Sequence, residues 1–200
     1  MPDFQLEKLF CNKGYKQICG VDEAGRGPLA GPVCAAAVIL PANYIIEGLN
    51  DSKKLSESKR EKLFDEICTN AVSYSIAFAS VDEIENYNIL QATFIAMNRC
   101  INSLKISPDF ALIDGNRMPA DIKIPCETVI KGDSKSASIA AASILAKVSR
   151  DRLMLEYAEK YPQYAFDKHK GYGTKVHYEA IEKYGICEIH RKSFLKNVIK

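Results

Sequence analysis

Asp22 and Glu23 stand side by side at the end of a short apolar run, Ile18-Cys19-Gly20-Val21. A carboxylate taken out of water without a partner is strongly disfavoured, so two together call for compensation. A divalent metal ion is the simplest candidate. The residues that follow, Ala24-Gly25-Arg26-Gly27-Pro28, bring two glycines and an arginine. Glycine lets a backbone come close to an anionic group, and arginine can pair with it. Carboxylates for metal beside a glycine loop for phosphate are the ingredients of phosphoryl transfer or nuclease chemistry.

Asp114 and Asp133 belong to the same class of position, because each lies at or just beyond the end of a predicted strand. Strands distant in sequence can bring their ends together, and ligands of open α/β sheets gather there. Magnesium takes hard oxygen ligands and keeps several waters, so a few carboxylates suffice. Two such ions roughly 3.5–4 Å apart can activate water on one side of a phosphorus and stabilise the leaving oxygen on the other. The residues alone leave other roles open. Asp133, after Gly132, also suits a helix N-cap, and Asp114, before Gly115-Asn116, suits a turn. Neighbouring side chains of a strand point to opposite faces. Asp22 and Glu23 therefore predict a backbone irregularity at Glu23, or ligation through its carbonyl.

Gly25-x-Gly27-x-x-Ala30 fits a relaxed dinucleotide fingerprint only nominally. That motif needs a helix directly after its glycines, whereas Pro28, Pro32 and the strand-like run Val33–Leu40 follow here. A nucleotide P-loop is excluded, since no Gly-Lys-Ser/Thr follows. Lys53, Lys54 and Lys170 lie in predicted loops, and Tyr172 stands between two glycines. By residue type Tyr172 reads equally as a surface loop aromatic or as a nucleic-acid contact, whereas a loop lysine is usually just solvated, so a phosphate role for each lysine rests on its motif context. Cys187-x-x-His190 has half of a zinc spacing, but structural zinc wants four ligands and no second pair lies nearby.

The elements that must position these groups follow from periodicity and punctuation. Strands are predicted at 17–23 and 33–40, joined as a hairpin through the Gly/Pro-rich segment 25–32. A helix runs to about residue 69 from Ser56 or Ser58, and Ser58-Lys59-Arg60-Glu61 fits a capping box. A strand over 72–79 precedes Ser80-Val81-Asp82-Glu83, which opens a short helix, and a longer one follows over about 88–104. Strands at 110–114 and 127–130 end near Asp114 and Asp133. The longest helix spans 134–161 before Pro162; its first half is rich in Ala and Ser, which let a helix lie close to a sheet. Helices over about 174–184, with Gly185 as its stop, and 191–198 complete a mixed α/β pattern.

The 200 residues predict one domain, 1–200, with an ordinary soluble balance of 47% hydrophobic and 26% charged residues. No apolar run approaches membrane-spanning length, and the start of the chain lacks the form of a signal peptide, so a cytoplasmic protein is expected. Seven dispersed cysteines without a Cys-x-x-Cys pair read as small buried hydrophobes. Residues 1–130 carry 13 Lys+Arg against 17 Asp+Glu, and residues 131–200 carry 14 against 8. The basic C-terminal third suits a phosphate-facing surface, and suits a solvated helical surface equally well.

The Asp-Glu-Ala-Gly-Arg-Gly signature at 22–27 resembles ribonuclease HII, the family that cleaves RNA embedded in or joined to DNA. Asp51-Ser52-Lys53-Lys54-Leu55, Ile113-Asp114-Gly115-Asn116, Lys131-Gly132-Asp133, the run Ala141–Asp151 and His169-Lys170-Gly171-Tyr172-Gly173-Thr174 are similar to further family blocks, in family order, over nearly the whole chain. The resemblance implies a ribonuclease H-like fold, a mixed β-sheet flanked by helices, with a helical C-terminal part at about 162–200. It implies that Asp22, Glu23, Asp114 and Asp133 are catalytic and hold Mg2+ or Mn2+. Gly25, Arg26 and Gly27 match the segment that lies in the minor groove and contacts the 2′-hydroxyl. Tyr172 matches the tyrosine that packs on the following deoxyribose, and Lys53, Lys54 and Lys170 are implied phosphate contacts. The implied reaction is hydrolysis of RNA in RNA–DNA duplexes, including cleavage 5′ to a single ribonucleotide in DNA, leaving 3′-hydroxyl and 5′-phosphate ends. The sister family ribonuclease HIII differs where Arg26 stands and carries an N-terminal extension; here only about 16 residues precede the first strand. A silent nucleic-acid-binding module would lack one of the carboxylates, and none is lacking. Nucleic acid is the expected partner and no membrane is expected. Gln5-Leu6-Glu7-Lys8-Leu9-Phe10 suggests a sliding-clamp peptide only loosely and reads better as the start of a helix.

Overall fold

The structure, a computed structural model, describes residues 1–42 and 44–196. Five strands form one mixed sheet in the order β3-β2-β1-β4-β5: β1 Ile18–Ala24, β2 Val33–Ile39, β3 Ser73–Ala79, β4 Phe110–Asp114 and β5 Cys126–Val129. The first three pair antiparallel, as the predicted hairpin requires, whereas β1–β4 and β4–β5 are parallel. The helices are α1 Gln5–Asn12, α2 Glu57–Asn70, α3 Val81–Asn102, α4 Ala137–Lys160, α5 Phe166–His169 and α6 Lys175–Tyr184. This is the ribonuclease H-like α/β arrangement that the family blocks imply.

Strand alternation divides the core in two. Cys19, Val21, Ala35, Ala37, Ala111 and Ile113 face α3. On the other face Ala36 and Val38 pack with Leu63 and Ile67 of α2 and with Ala140, Ala141 and Ile144 of α4. The small side chains of α4 do what their size predicts. A Cβ added to Gly20 would lie 2.1 Å from the backbone carbon of Ser138, so helix and strand touch backbone to backbone. α1 joins the same face, stacking Phe10 on Phe110 with ring centroids 4.1 Å apart. The clamp-like segment is thus a helix with Glu7 and Phe10 buried.

Helix starts follow side-chain chemistry. Ser80 and Glu83 form the predicted capping box of α3. The predicted break between a short and a longer helix is a kink at Asn88 (φ 67°), whose Oδ1 accepts from the N–H groups of Leu90 and Gln91 and restarts the helix. Ser56, not the Ser58 box, caps α2. α4 starts later than predicted. Ser136 caps it, with Oγ accepting from Ile139 N–H at 3.1 Å, and Glu7 Oε1 accepts from Ser136 Oγ and Ser138 N–H at 2.6 and 3.0 Å.

The C-terminal part packs Tyr164, Phe166, Ala180, Ile181 and Ile189 against Met154 of α4 and Leu29 and Ala30 of the loop after β1. The helix predicted over 191–198 is replaced by a 3-10 turn at Lys192–Phe194, and residues 197–200 lie outside the described chain. The chain is extended just before that turn because it bridges to the loop: Ala30 pairs with His190, and Arg191 N–H donates to Leu29 O at 2.8 Å. All seven cysteines are free. Cys19, Cys34 and Cys100 are buried, but Cys11 is exposed and the rest are half-buried, so the expectation of buried hydrophobes holds for only some.

Candidate active site

Val21 of β1 lies opposite Ile113 of the parallel strand β4. Asp22 and Asp114 are each one residue further on, so both leave the sheet at its C-terminal strand ends. Alternation places them on the α4 face with Gly20 and Leu112. After β5 the chain turns through Lys131, which has a left-handed backbone, into a 3-10 turn at Gly132–Ser134. Gly132 N–H donates to Asp114 Oδ1 at 2.6 Å, which brings Asp133 to the same corner. Asp133 therefore does not cap α4; that role belongs to Ser136, three residues on.

At Glu23 one of the two expected arrangements is absent, the other being ligation through its carbonyl. The β1–β2 register runs unbroken through Glu23↔Ala35 and Ala24↔Cys34, so the predicted irregularity is absent from that ladder. Its side chain emerges on the other face and accepts from Arg26 Nη1 at 3.2 Å. Its N–H donates to Asp22 Oδ1 at 2.7 Å.

The corner is electrostatically unbalanced. Burial, followed by the charges of Glu23 and Asp114, holds the Asp22 carboxyl well above its usual range. Burial also raises Glu23 against the opposing pull of Arg26. Asp133 is raised by burial and by the neighbouring Asp51 and Asp114. Lys53 is the cation that answers them. Burial works against its charge, but Asp22, Asp51, Asp133 and Asp114 outweigh it and raise its pKa.

Asp51 escaped sequence reasoning, which took only the lysines from its block. It caps the 3-10 turn Ser52–Lys54, accepting from Lys53 N–H at 2.9 Å. Its readable signal is Asp before Ser-Lys-Lys, but nothing in that run says the turn reaches the strand ends. A buried hydroxyl pair, Ser52 and Ser143 at 2.7 Å, ties this turn to α4. Lys54 is exposed, 4.0 Å from Asp51 Oδ2. Lys170 Nζ turns back to the Asp167 carbonyl. These two lysines do not face the carboxylates as Lys53 does.

The glycine loop sits beside this corner, linked to it through Glu23 and Arg26. Gly25 has φ +97°, and a Cβ there would lie 2.0 Å from Arg150 Nε, so this position requires glycine. Arg26 and Gly27 are exposed. A Cβ on Gly27 would meet only Tyr172 Cε1, at 3.7 Å, so the half-exposed Tyr172 ring stands next to the loop. The two segments are fastened together: Leu29 N–H donates to Gly171 O at 2.8 Å. Beneath the loop lie Arg150 and Arg191, both buried, which sequence reasoning also missed.

The three histidines of the chain support the tyrosine segment from behind. His177 Nδ1 is 2.9 Å from Tyr172 O, so it carries the proton. His177 Nε2 then accepts from His190 Nε2, 3.1 Å away. His190 Nδ1 accepts from Cys187 N–H at 2.9 Å, so the half zinc spacing is spent on a local turn. Burial holds His177 and His190 neutral, each lowered to about 4.

A family model described as Ribonuclease HII matches residues 19–197. The ribonuclease HII of Caldicellulosiruptor bescii is 57% identical over 98% of this chain and 95% of its own length. The chain belongs to the ribonuclease HII family. It is accordingly an endonuclease of the ribonuclease H type. Ribonuclease H2 from Pyrococcus horikoshii OT3 is 27% identical, with a TM-score of 0.75 over 92% of this chain and 97% of that one. The ribonuclease HII of Archaeoglobus fulgidus, solved in a complex with PCNA, is 25% identical, with a TM-score of 0.69 over 88% and 94% of the two chains.

The strand-end carboxylates suit a hard cation on physical grounds. Asp22, Asp114 and Asp133 offer only oxygen donors, lie among like charges, and have Lys53 as their facing cation. Among the described residues no three potential ligands are drawn closely enough to hold an ion as they stand. Their oxygens are instead engaged one by one, Asp22 by Glu23 N–H and Asp114 by Gly132 N–H. A divalent ion would supply the positive charge that this corner lacks. No described helix is long and apolar enough to cross a membrane.

Proposed function

We propose that this chain is a divalent-metal-dependent endonuclease that hydrolyses the RNA strand of RNA–DNA hybrids. It also cuts on the 5′ side of a single ribonucleotide in duplex DNA, leaving 3′-hydroxyl and 5′-phosphate ends. The observation that carries this reading is the buried Asp22 carboxylate, raised by burial and by Glu23 and Asp114, one short loop from the exposed Gly27–Tyr172 surface. Asp22, Asp114 and Asp133 would hold Mg2+ or Mn2+, with Glu23 contributing through its carbonyl or a turned side chain. The metal would polarise the phosphate and activate the attacking water. Lys53 holds positive charge among the carboxylates and steadies the scissile phosphate. Gly25, Arg26 and Gly27 come close enough to read a 2′-hydroxyl, the group that marks RNA, while Tyr172 packs on the next sugar. Lys54 and Lys170 make outer phosphate contacts. The whole chain acts as one catalytic unit in the cytoplasm.

The test is cleavage of a DNA duplex holding one ribonucleotide, with Mg2+, with Mn2+ and with chelator, with the product ends mapped. Metal-dependent cutting 5′ to the ribonucleotide is expected. Equal cutting of all-DNA duplex, or cleavage unaffected by chelator, would overturn the reading.

A further inference from the structure

Arg150 and Arg191 are among the largest fully buried side chains of the protein. Neither forms an ion pair with a described carboxylate. Both guanidinium groups are spent on backbone carbonyls. Arg191 donates through Nη2 to Gly25 O at 2.6 Å, through Nη1 to Arg26 O at 3.0 Å and Pro28 O at 2.8 Å, and through Nε to Gly31 O at 2.8 Å. Arg150 donates through Nε to Pro32 O, through Nη2 to Ala30 O and through Nη1 to Lys170 O, each at 3.0 Å. Burial lowers both, and the charge of Arg150 adds to the lowering at Arg191.

An arrangement that buries two cations this way is costly unless every donor is used. It has a directional result. The carbonyls of residues 25, 26, 28, 30, 31 and 32 are drawn inward. Among the described residues, the N–H groups of the exposed residues Arg26 and Gly27 donate to no partner, and Gly27 lies beside Tyr172. Arg150 also reaches across to Lys170, so one side chain sets the loop and the tyrosine segment relative to each other. A lysine keeps the charge but has no planar fork to hold several carbonyls at once.

We propose that Arg150 and Arg191 are positioning residues for ribonucleotide recognition: they fix the 25–32 loop against the 170–172 segment before substrate arrives, with the loop's free amides turned toward the sugar. This rests on the reading of residues 25–27 as the sugar-contacting segment. Misplacing a recognition element by about 1 Å lowers rates by up to about a hundredfold. Arg191→Lys should therefore lower the single-turnover rate on a single-ribonucleotide duplex by about tenfold to a hundredfold. It should also narrow the binding preference for that duplex over all-DNA duplex. The rate on a long hybrid, which offers many registers, should fall less. Arg150→Lys should behave likewise, with the larger effect on the tyrosine side.

Three measurements make the outcome decisive. Gly27→Ala meets only ordinary contact and should fold, but it places a methyl on the reading surface. If it leaves the preference for ribonucleotide intact, the sugar-reading assignment fails. If it removes the preference while folded Arg191→Lys keeps it, only the positioning proposal fails. A folded Arg191→Lys whose rates on both substrates fall equally, in step with its melting temperature, makes the arginine merely structural and overturns the proposal. Amide exchange in the unaltered protein covers the case in which neither lysine variant folds. Leu29 and Gly31, whose N–H groups are bonded to Gly171 and Ile189, should be protected without substrate. Fast exchange there, with protection only on binding duplex, would refute a pre-set loop.

Discussion

Alanine at Gly25 and alanine at Gly27 are the same chemical change two residues apart, and the structure predicts opposite outcomes. At Gly25 the backbone sits at φ +97° and the new Cβ would lie 2.0, 2.3 and 2.9 Å from Nε, Cδ and Cζ of Arg150. An L-residue in left-handed backbone costs roughly 1–2 kcal/mol. To clear the methyl, Arg150 must retract, and its Nε bond to Pro32 O is the first lost. A hydrogen bond from a charged donor is worth about 1.5–3 kcal/mol. Restricting the unfolded chain returns about 0.4–1 kcal/mol. The net destabilisation is about 2–4 kcal/mol, a large part of a typical total of about 5–15 kcal/mol. For a chain of this size that lowers the melting temperature by roughly 4–16 °C. At Gly27 the Cβ meets only Tyr172 Cε1 at 3.7 Å, so the change stays within about 0.5 kcal/mol. The assay is thermal and urea unfolding of both variants, without divalent metal so that metal binding does not enter. Combining Gly25→Ala with Arg150→Met should reveal a coupling of about 1 kcal/mol or more, because the methyl no longer meets the guanidinium. If Gly25→Ala melts with Gly27→Ala, the loop does not rest on Arg150 and the reasoning is wrong.

Asp22→Asn, Asp114→Asn and Asp133→Asn should each abolish or greatly reduce cleavage while the fold survives; full activity in the first two would remove the metal assignment. In chelator the folded-state carboxyls of Asp22, Glu23 and Asp133 sit above their unfolded values. The folded state then holds more protons, and stability should fall as pH rises above about 4; melting of Asp22→Asn across that range should be flatter, and a parallel slope would refute the link. His177 and His190, lowered to about 4, act in the opposite sense: their contribution is present above about pH 6.5 and is lost as pH falls toward 4, so His190→Gln should weaken acid sensitivity in a pH-melting series. Lys53→Ala should reduce the log–log salt slope of duplex binding by about one, more than Lys54→Ala or Lys170→Ala; equal slopes for all three would place the phosphate surface elsewhere. Tyr172→Ala should slow cleavage at a single ribonucleotide by roughly tenfold to a hundredfold relative to a long hybrid, with Tyr172→Phe milder, and an unchanged ratio of single-turnover rates would free this tyrosine of the role.

The parts of this fold that were legible are those set by local pattern. β4 falls at Phe110–Asp114 as the apolar run requires, and the Ser80–Glu83 box opens α3 where its spacing says. Near misses came from competition between similar local signals. Ser56 outranks Ser58 as a cap, and Ser136 takes the cap that Asp133 also suits, because the turn at Gly132 commits Asp133 to the carboxylate corner. The backbone irregularity expected at Glu23 is absent from the ladder; the side chain simply faces the other way, toward Arg26. Asp51, Arg150 and Arg191 were not legible. Their partners are carbonyls or groups from distant turns, and a backbone carbonyl leaves no mark in a sequence. The one available hint for Arg150 was its place on a long helix whose other buried residues are Ala, Ser and apolar apart from the adjacent Asp151.

Ser136, Ser143 and Arg150 are spaced seven residues apart. Seven residues are nearly two helical turns, about 10 Å of rise with only about 20° of rotation. Each of the three grips a different segment: Ser136 takes Glu7 of α1, Ser143 takes the Asp51–Lys53 turn, and Arg150 takes the glycine loop. α4 is therefore a measuring rod with marks on one edge, and it sets the distance between the acidic corner and the glycine loop. A rod tolerates repainting but not recutting. Exchanges among small residues on α4 leave the marks aligned. One residue inserted between Ser143 and Arg150 turns the last mark by about 100° and moves it about 1.5 Å. The stretch from Ser136 to Arg150 has to keep its count.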